Sequence, residues 1–250
     1  MTTDLVADFP DRVKGACGVG LAELRQRVAA CLAGRGTARD ALPVYRYLSY
    51  HLGLAELDGQ AVSGGVQGKG IRPMVCLCAA TAVGGRAADA LDAAAAVELT
   101  HEFSLIHDDI QDGDRLRRGR PTLWTQVGVP QAINAGDALF AIARSLLSAP
   151  GHACEPATAL ALCAVYDEAC LRLAEGQQQD IAFESGAAVT ESAYLSMVRD
   201  KTGAILGAAA ALGALAGGAS PATAARLLAY GEALGVAFQI DAVAAGRTVV

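Results

Sequence analysis

Residues 104–124 read SLIHDDIQDGDRLRRGRPTLW, a stretch in which an apolar start leads into a dense acidic cluster and then a dense basic one. The charged residues are Asp108, Asp109, Asp112 and Asp114, followed by Arg115, Arg117, Arg118 and Arg120. Asp108 and Asp112 are four residues apart, so on an α-helix they would lie on one face, one turn apart. Two carboxylates in this arrangement suit Mg²⁺, which keeps several waters and commonly also binds substrate phosphates.

The arginines behind the acids add a second kind of phosphate ligand. Arg117 and Arg118 follow Asp112 by five and six residues. Each guanidinium is a permanently charged fork of donors that matches a phosphate. A diphosphate held by Mg²⁺ on one side and by arginine on the other would require this mixture of charges. The alternative is a solvated helix end with surface ion pairs, which would contribute little to stability.

The composition favours one large buried core. The chain has 250 residues, of which 53% are hydrophobic and 18% charged, with a net charge of −6. An acidic balance argues against general nucleic-acid binding, which requires a basic surface. The seven cysteines form no CxxC pair and no secretory signal is evident, so we expect cysteines buried in the core of a cytoplasmic protein.

Helix-forming residues dominate, and the alternating pattern of strands is nearly absent. Glycine and proline breaks predict helices at residues 19–33, 39–52, 71–83, 87–112, 130–148, 156–183, 190–216 and 221–245. The predicted fold class is all-α, a multi-helix bundle in a single domain spanning 1–250. We expect no membrane-spanning segment, because the best candidate, 204–220, is shorter than the roughly 20 residues required.

Two further segments carry groups that suit a diphosphate. In QGKGIRPM, residues 67–74, Lys69 and Arg72 lie in a glycine-rich turn ahead of a helix, where the backbone can approach an anion. His101 lies seven residues before Asp108, two helical turns back on the same face. Each signal is weak alone, since an isolated histidine in a helix more often has no such role.

Taken together, these segments resemble the trans-isoprenyl diphosphate synthases, the all-α prenyltransferases of the polyprenyl synthetase family that build geranyl, farnesyl and geranylgeranyl diphosphates. The resemblance runs from about residue 60 to 241 and rests on six ordered segments. They are GKGIRP, ELTHEFSLIHDDIQDGDRLRRGRPT, NAGDALFAIA, EGQQQDIAFE, MVRDKTGAIL and GVAFQI. The resemblance implies an isoprenoid-synthase-type helix bundle around a central apolar cavity, with motifs most similar to those of bacterial geranylgeranyl diphosphate synthases.

The resemblance also implies roles for individual residues. Asp108 and Asp112 would hold the Mg²⁺ that bridges the allylic diphosphate, with Asp109 in support. The residues implied for binding the diphosphate of isopentenyl diphosphate are Lys69, Arg72, His101 and Arg118. Those implied on the side of the allylic substrate are Arg117, Lys201, Thr202 and Gln239, with Gln177 and Asp180 lining the same cavity.

The implied reaction is the ionisation of an allylic diphosphate, followed by attack of the double bond of isopentenyl diphosphate on the carbocation. Stabilisation of the leaving group, orientation and exclusion of water would carry the catalysis. In the family a bulky residue at the place of Phe103 limits chain length, and the small Ser104 beside it suggests a geranylgeranyl-length product. The alternative is that Phe103 is an ordinary core residue. The resemblance also implies a homodimer, or a heteromer with a homologue.

The second aspartate-rich motif departs from the family. There FQI is followed by one residue and then DDxxD, whereas this chain reads FQIDAVAAGRTVV and lacks the helices that normally follow. Asp241, one position early and about 100° round a helix, is a further candidate metal ligand. Three hypotheses stay open: a synthase that works with the first motif, a terpene synthase that acts without isopentenyl diphosphate, and a non-catalytic subunit of a heteromeric synthase. The retained Lys69, Arg72, His101 and Arg118 disfavour the second.

Overall fold

The structure is a computed structural model that describes residues 9–33, 42–62, 68–148, 155–184, 186 and 189–244. Its helices are α1 (Phe9–Cys17), α2 (Leu21–Ala33), α3 (Pro43–His51), α4 (Ile71–Ala82), α5 (Leu91–Gln111), α6 (Leu123–Val127), α7 (Val129–Leu146), α8 (Pro156–Glu184), α9 (Glu191–Val198), α10 (Ala204–Ala216) and α11 (Pro221–Ala244). A 3₁₀ turn, Ala87–Ala90, precedes α5, and a π-helical segment, Arg199–Gly203, joins α9 to α10. This architecture confirms the all-α class.

A short β-hairpin follows α5 and was not expected from the sequence. Strands β1 (Leu116–Arg117) and β2 (Arg120–Pro121) pair antiparallel across a two-residue turn, Arg118–Gly119. Both turn residues have positive φ, which hairpins of this type require and which Asn-Gly usually supplies. Gly119 and Pro121 predicted a break in the helix at this place, but Arg118 stands where Asn is expected, so the sequence did not indicate a hairpin.

The predicted helices agree with the observed ones except in four places. The predicted helix 190–216 is interrupted by the π-helical segment, the predicted helix 87–112 begins with the 3₁₀ turn, and α1 and α6 were not predicted. A helix of five residues such as α6 shows little more than one turn of hydrophobic periodicity, too little for a sequence pattern. Residues 39–41, which open the second predicted helix, lie outside the described residues.

Helix α10 forms the centre of the bundle. All of its residues from Ala204 to Leu215 are buried, and it packs against α4, α8 and α11. Small residues let these backbones approach closely: a Cβ added at Gly213 would lie 1.9 Å from the carbonyl oxygen of Cys76 on α4. The Ala/Gly composition of this segment therefore reflects tight helix packing rather than a membrane span.

Helix α11 is the one helix among the described residues that is long and apolar enough to cross a membrane, judged by length and composition alone. The prediction that 204–220 is the best candidate was therefore wrong, and that segment is core instead. Only 17% of the most apolar window of α11 is buried, and Tyr230, Leu234 and Ile240 on it are exposed. The absence of a membrane-spanning segment stays a prediction.

Gly213→Ala should destabilise the bundle, because the new methyl group would overlap the α4 backbone, which cannot move without displacing other core contacts. We expect a loss of about 2 kcal/mol in the free energy of unfolding, measured by urea denaturation. Gly15→Ala is the matched control, since a Cβ there would have no neighbour within 4 Å. Equal effects of the two substitutions would contradict the packing of α10 on α4.

Candidate active site

The C-terminal end of α5 carries the predicted acidic residues. Asp108 is 8% exposed and its backbone oxygen accepts a hydrogen bond of 2.8 Å from the backbone N–H of Asp112, which lies just past the last turn. Burial raises the pKa of Asp108 to about 6; the charge of Lys201 opposes this rise and that of Asp112 adds to it. At neutral pH, Asp108 is therefore a buried negative charge whose burial a bound cation would offset.

Asp108 lies where an apolar cavity meets a polar pocket. The cavity has a volume of about 420 Å³ and lies between α5 and α8. Its lining residues are Phe103, Ser104, His107, Asp108, Gln111, Cys170, Leu173, Ala174, Gln177, Gln178, Ile181 and Ala182. The pocket beside it, of about 30 Å³, shares Ser104, Asp108, Leu173 and Gln177 with the cavity. A ligand could thus place an apolar part in one space and a polar part in the other.

The polar pocket brings together residues that are far apart in the sequence. Arg72 from α4, His101 from α5, Lys201 and Thr202 from the π-helical segment and Gln239 from α11 all line it. Arg72 Nη1 lies 3.1 Å from His101 Nε2, and Thr202 Oγ1 donates to Gln239 Oε1 at 3.3 Å. Burial, and then the charge of Arg72, lower the pKa of His101 well below its usual value. His101 is therefore neutral, and its Nε2 can accept a hydrogen bond from Arg72.

The π-helical segment brings the backbone of Lys201 against α8. A Cβ added at Gly176 of α8 would lie 2.3 Å from the backbone nitrogen of Lys201, so the two backbones touch at this point. Lys201 Nζ forms an ion pair with Asp180. Burial raises the pKa values of Asp108 and Asp112, and the charge of Lys201 partly offsets this rise. Insertions of this kind into α-helices often occur at functional sites. Lys201 therefore lies among three carboxylates.

The remaining predicted cations lie outside the polar pocket. Arg117 Nε donates to Asp109 Oδ1 at 2.6 Å, and Arg118 Nη2 donates to Glu102 Oε1 at 2.8 Å. Both arginines line a separate pocket of about 30 Å³ with Asp109, which places Asp109 away from the cavity that Asp108 lines. Lys69 is exposed, next to Gly68, which packs against the guanidinium of Arg118.

Comparison with known proteins gives the same family as the motifs. A sequence profile of the polyprenyl synthetases matches residues 60–242. This chain belongs to the polyprenyl synthetase family. It is 46% identical over 173 residues to a short chain isoprenyl diphosphate synthase of Methanothermobacter thermautotrophicus, covering 69% of this chain and 52% of that protein. It is 42% identical over 197 residues to a geranylgeranyl diphosphate synthase of Mycobacterium tuberculosis, covering 79% and 55%.

Solved structures agree with this assignment. A polyprenyl synthetase from Streptomyces coelicolor A3(2) superposes with a TM-score of 0.79 at 35% identity, covering 94% of this chain and 64% of that one. A geranylgeranyl pyrophosphate synthetase from the archaeon Geoglobus acetivorans superposes with a TM-score of 0.76 at 31% identity, covering 94% and 68%. The chain spans about half the length of the curated relatives it matches.

A group of aromatic rings supports one wall of the cavity. The ring of Phe103 meets that of Phe140 edge to face at 5.3 Å, and Phe140 stacks on Tyr166 at 6.1 Å. Tyr166 is fully buried, and its hydroxyl oxygen accepts a hydrogen bond of 3.0 Å from Thr100. Phe103 is thus a cavity-lining residue with a rigid support behind it.

The acidic residue of the altered second motif lies elsewhere. Asp241 is on the exposed side of α11, whereas its neighbour Ala242 is buried. Of the described residues, none that lines the cavity or the polar pocket comes from α11 except Gln239. Asp241 therefore lies outside these two spaces.

The sequence analysis missed two buried polar residues of the site, His51 and Glu102. Their side chains are only 6% and 3% exposed, and His51 Nε2 lies 3.0 Å from Glu102 Oε2. They are 51 positions apart, so no local pattern could have paired them. A glutamate inside the apolar stretch before Asp108 was the only available signal.

Asp108→Asn should stabilise the metal-free protein at neutral pH. The ordinary pKa of 3.8 rises to about 6 on folding, so the folded state binds protons more tightly and its stability falls as pH rises from about 4 to 6. The asparagine variant does not lose this stability, and its advantage should reach about 3 kcal/mol well above pH 6 and disappear near pH 4. Urea denaturation in a chelator, with Asp114→Asn as an exposed control, measures the difference.

A variant that is less stable than the parent at pH 7.5, or an advantage that does not change between pH 4 and 7, would contradict the buried environment of Asp108. Asp114→Asn should show no such pH-dependent gain, because the carboxylate of Asp114 is half exposed.

Proposed function

We propose that the chain carries the active site of a prenyl diphosphate synthase that ionises an allylic diphosphate and condenses it with isopentenyl diphosphate. The observation that carries this proposal is the position of Asp108, at the border between the apolar cavity and the pocket that holds Arg72 and His101. A prenyl diphosphate has the same division into an anionic head and a hydrocarbon tail. The names of the geranylgeranyl and short-chain relatives support the same reaction class.

Mg²⁺ is the cofactor that this proposal requires. Among the described residues no group of three or more His, Cys, Asp or Glu is arranged to hold a metal on its own. Two carboxylates are nevertheless enough for Mg²⁺, because it retains waters and takes further ligands from substrate phosphates. Asp108 and Asp112 would hold it, and the raised pKa of Asp108 marks a charge that a cation would offset. When bound, Mg²⁺ would neutralise charge that develops on the leaving diphosphate.

The protein's own side chains would divide the remaining work between two diphosphates. Lys201, Thr202 and Gln239 would orient the allylic diphosphate, with Arg117 acting on this side through its ion pair with Asp109. Arg72 and His101, with Lys69 and Arg118, would bind the diphosphate of isopentenyl diphosphate. In this arrangement the allylic C–O bond breaks, the double bond of isopentenyl diphosphate attacks the cation, and a proton is lost.

The apolar cavity would hold the growing chain and exclude water from the cation. Leu173, Ala174 and Cys170 supply one wall from α8, and Phe103 supplies part of the opposite wall from α5. A carbocation that is held away from water is not attacked by water to form an alcohol. Gln177, which donates to Gln111 Oε1 at 2.9 Å, would tie the two walls together near the diphosphates.

We also propose a homodimer. Val129, Ile133 and Phe140 are exposed apolar residues on α7, and a second copy would cover them. A heteromer with a homologue is the alternative, and Asp241 would contribute a metal ligand only through a rearrangement of α11. A cytoplasmic location stays a prediction from composition.

The reaction can be tested with geranyl and farnesyl diphosphates in the presence of Mg²⁺, each with and without isopentenyl diphosphate. We expect elongated diphosphates only when isopentenyl diphosphate is present, and at least a hundredfold loss of rate in Asp108→Asn, because the leaving group loses a bound cation. Asp114→Asn, in the same segment but exposed, should retain the rate.

Two results would contradict this proposal. Hydrocarbon or alcohol formed without isopentenyl diphosphate would indicate a terpene synthase. No turnover in any mixture, restored by adding a homologous synthase, would indicate a non-catalytic subunit.

Phe103→Ala should lengthen the product, because it removes the ring that fills the α5 side of the cavity. We expect the main product to gain at least one isoprene unit, measured by chromatography of the dephosphorylated alcohols. Phe183→Ala is the control, since Phe183 is on α8 but does not line the cavity. An unchanged product distribution in Phe103→Ala would show that another residue limits the chain.

A further inference from the structure

Glu102 is a buried carboxylate that lies between the side chains of Arg118 and His51. Its Oε1 accepts a hydrogen bond of 2.8 Å from Arg118 Nη2, and its Oε2 lies 3.0 Å from His51 Nε2. These partners come from three separate elements: α5, the β-hairpin and α3. The carboxylate therefore connects the hairpin to the interior of the bundle.

The backbone of the hairpin is strained at the residue that Glu102 contacts. Arg118 has φ of +52°, and among the described residues it is the only non-glycine residue with positive φ. This conformation is unfavourable for a residue with a Cβ, and such residues are concentrated at functional sites. An Asn or Gly would fit the turn better, so the arginine at this position requires another explanation.

Glycine at position 68 makes room for the same guanidinium. A Cβ there would lie 3.0 Å from Arg118 Nη2 and 3.4 Å from its Cζ. Arg118 thus has a strained backbone, a buried carboxylate as acceptor and a glycine backbone in close contact. Exposed Lys69 follows that glycine directly. Arg118 is 22% exposed, so part of its guanidinium stays accessible to a ligand while Nη2 is held.

The charge of Glu102 is maintained at neutral pH. Burial by itself would raise the pKa of Glu102, but the close contact with His51 and the charges of His51 and Arg118 lower it below its usual value. A carboxylate that stays ionised is a stronger acceptor than a neutral acid. Glu102 is therefore a charged acceptor held against Arg118 Nη2 before any substrate binds.

We propose that Glu102, supported by His51, is a positioning residue that fixes Arg118 for the diphosphate of isopentenyl diphosphate. The proposal rests on the function proposed above and adds a residue that acts through Arg118 rather than on the substrate. Pre-organisation reduces the side-chain entropy lost on binding, and so strengthens binding without any new contact.

The direction in which anion binding changes when Glu102 loses its charge distinguishes a positioning role from a purely electrostatic one. Removing a negative charge near an anion site should strengthen anion binding if only Coulomb forces matter. Loss of positioning should weaken it. Glu102→Gln keeps the size of the side chain and removes its charge, so the two explanations predict opposite changes.

We expect Glu102→Gln to raise the KM for isopentenyl diphosphate about tenfold, a size typical for a lost hydrogen bond between charged groups. The KM for the allylic substrate and kcat should stay within about twofold of the parent. Arg118→Ala should raise the same KM, and adding Glu102→Gln to it should cause no further rise. Glu102→Asp, which restores the charge, should recover part of the affinity.

Glu56→Gln is the matched control. Glu56 pairs with Arg120 in the same hairpin, with a distance of 3.0 Å, but it is half exposed. This variant removes a negative charge from the partner of Arg120, which lies two residues after Arg118, and should leave the KM for isopentenyl diphosphate unchanged. Equal effects of the two substitutions, additive effects of Glu102→Gln and Arg118→Ala, or tighter binding in Glu102→Gln would each overturn the proposal.

Calorimetric titration with isopentenyl diphosphate, without Mg²⁺ and without an allylic substrate, tests the positioning without turnover. The parent should bind it, and Glu102→Gln should bind it about tenfold more weakly. This result with no elongation activity would refute the proposed function and leave the role of Glu102 intact. Elongation with unchanged affinity for isopentenyl diphosphate and unchanged KM in Glu102→Gln would refute the role of Glu102 alone. A parent that does not bind isopentenyl diphosphate would refute both.

Discussion

The burial of a negative charge at Asp108 is the constraint on which the site depends. A largely apolar helix carries this carboxylate to the border of the cavity, where burial raises its pKa to about 6. The charge of Lys201, which is itself paired with Asp180, offsets only part of this cost. The fold thus carries an electrostatic cost at this position, and a cation with a diphosphate would remove it. The same feature explains why a destabilising residue is placed where the two spaces meet.

Close helix packing fixes the position of the cavity relative to the polar pocket. Helix α10 consists almost entirely of buried small and aliphatic residues, so its neighbours approach to backbone contact. Gly176 brings α8 against Lys201 in the same way. These backbone contacts fix the helices that bring Arg72, Lys201 and Gln239 into one pocket with Asp108. Packing in the core and chemistry at the site are therefore linked.

The sequence predicted the class of fold and most of the polar pocket, but not how it is supported. The helix pattern and the resemblance led to Arg72, His101, Lys201, Thr202 and Gln239, which line one pocket with Asp108. The contacts of Arg118 could not be predicted from the sequence, because they depend on a hairpin whose first turn residue is atypical. The pairing of Glu102 with His51 is a tertiary contact between distant elements, and no local periodicity records it. The interruption at Lys201 likewise depends on packing against Gly176.

Among the described residues that line the cavity and the polar pocket, Asp108 is the only acidic one. Asp241 lies on the exposed side of α11, away from the cavity, so the account depends on Asp108 and its neighbours. Calorimetric titration of Mg²⁺ with inorganic diphosphate into the parent and into Asp108→Asn tests this dependence most directly. The account predicts that diphosphate binding in the parent requires Mg²⁺ and that the variant loses this requirement together with most of its affinity. Equal, Mg²⁺-dependent binding by both proteins would contradict it.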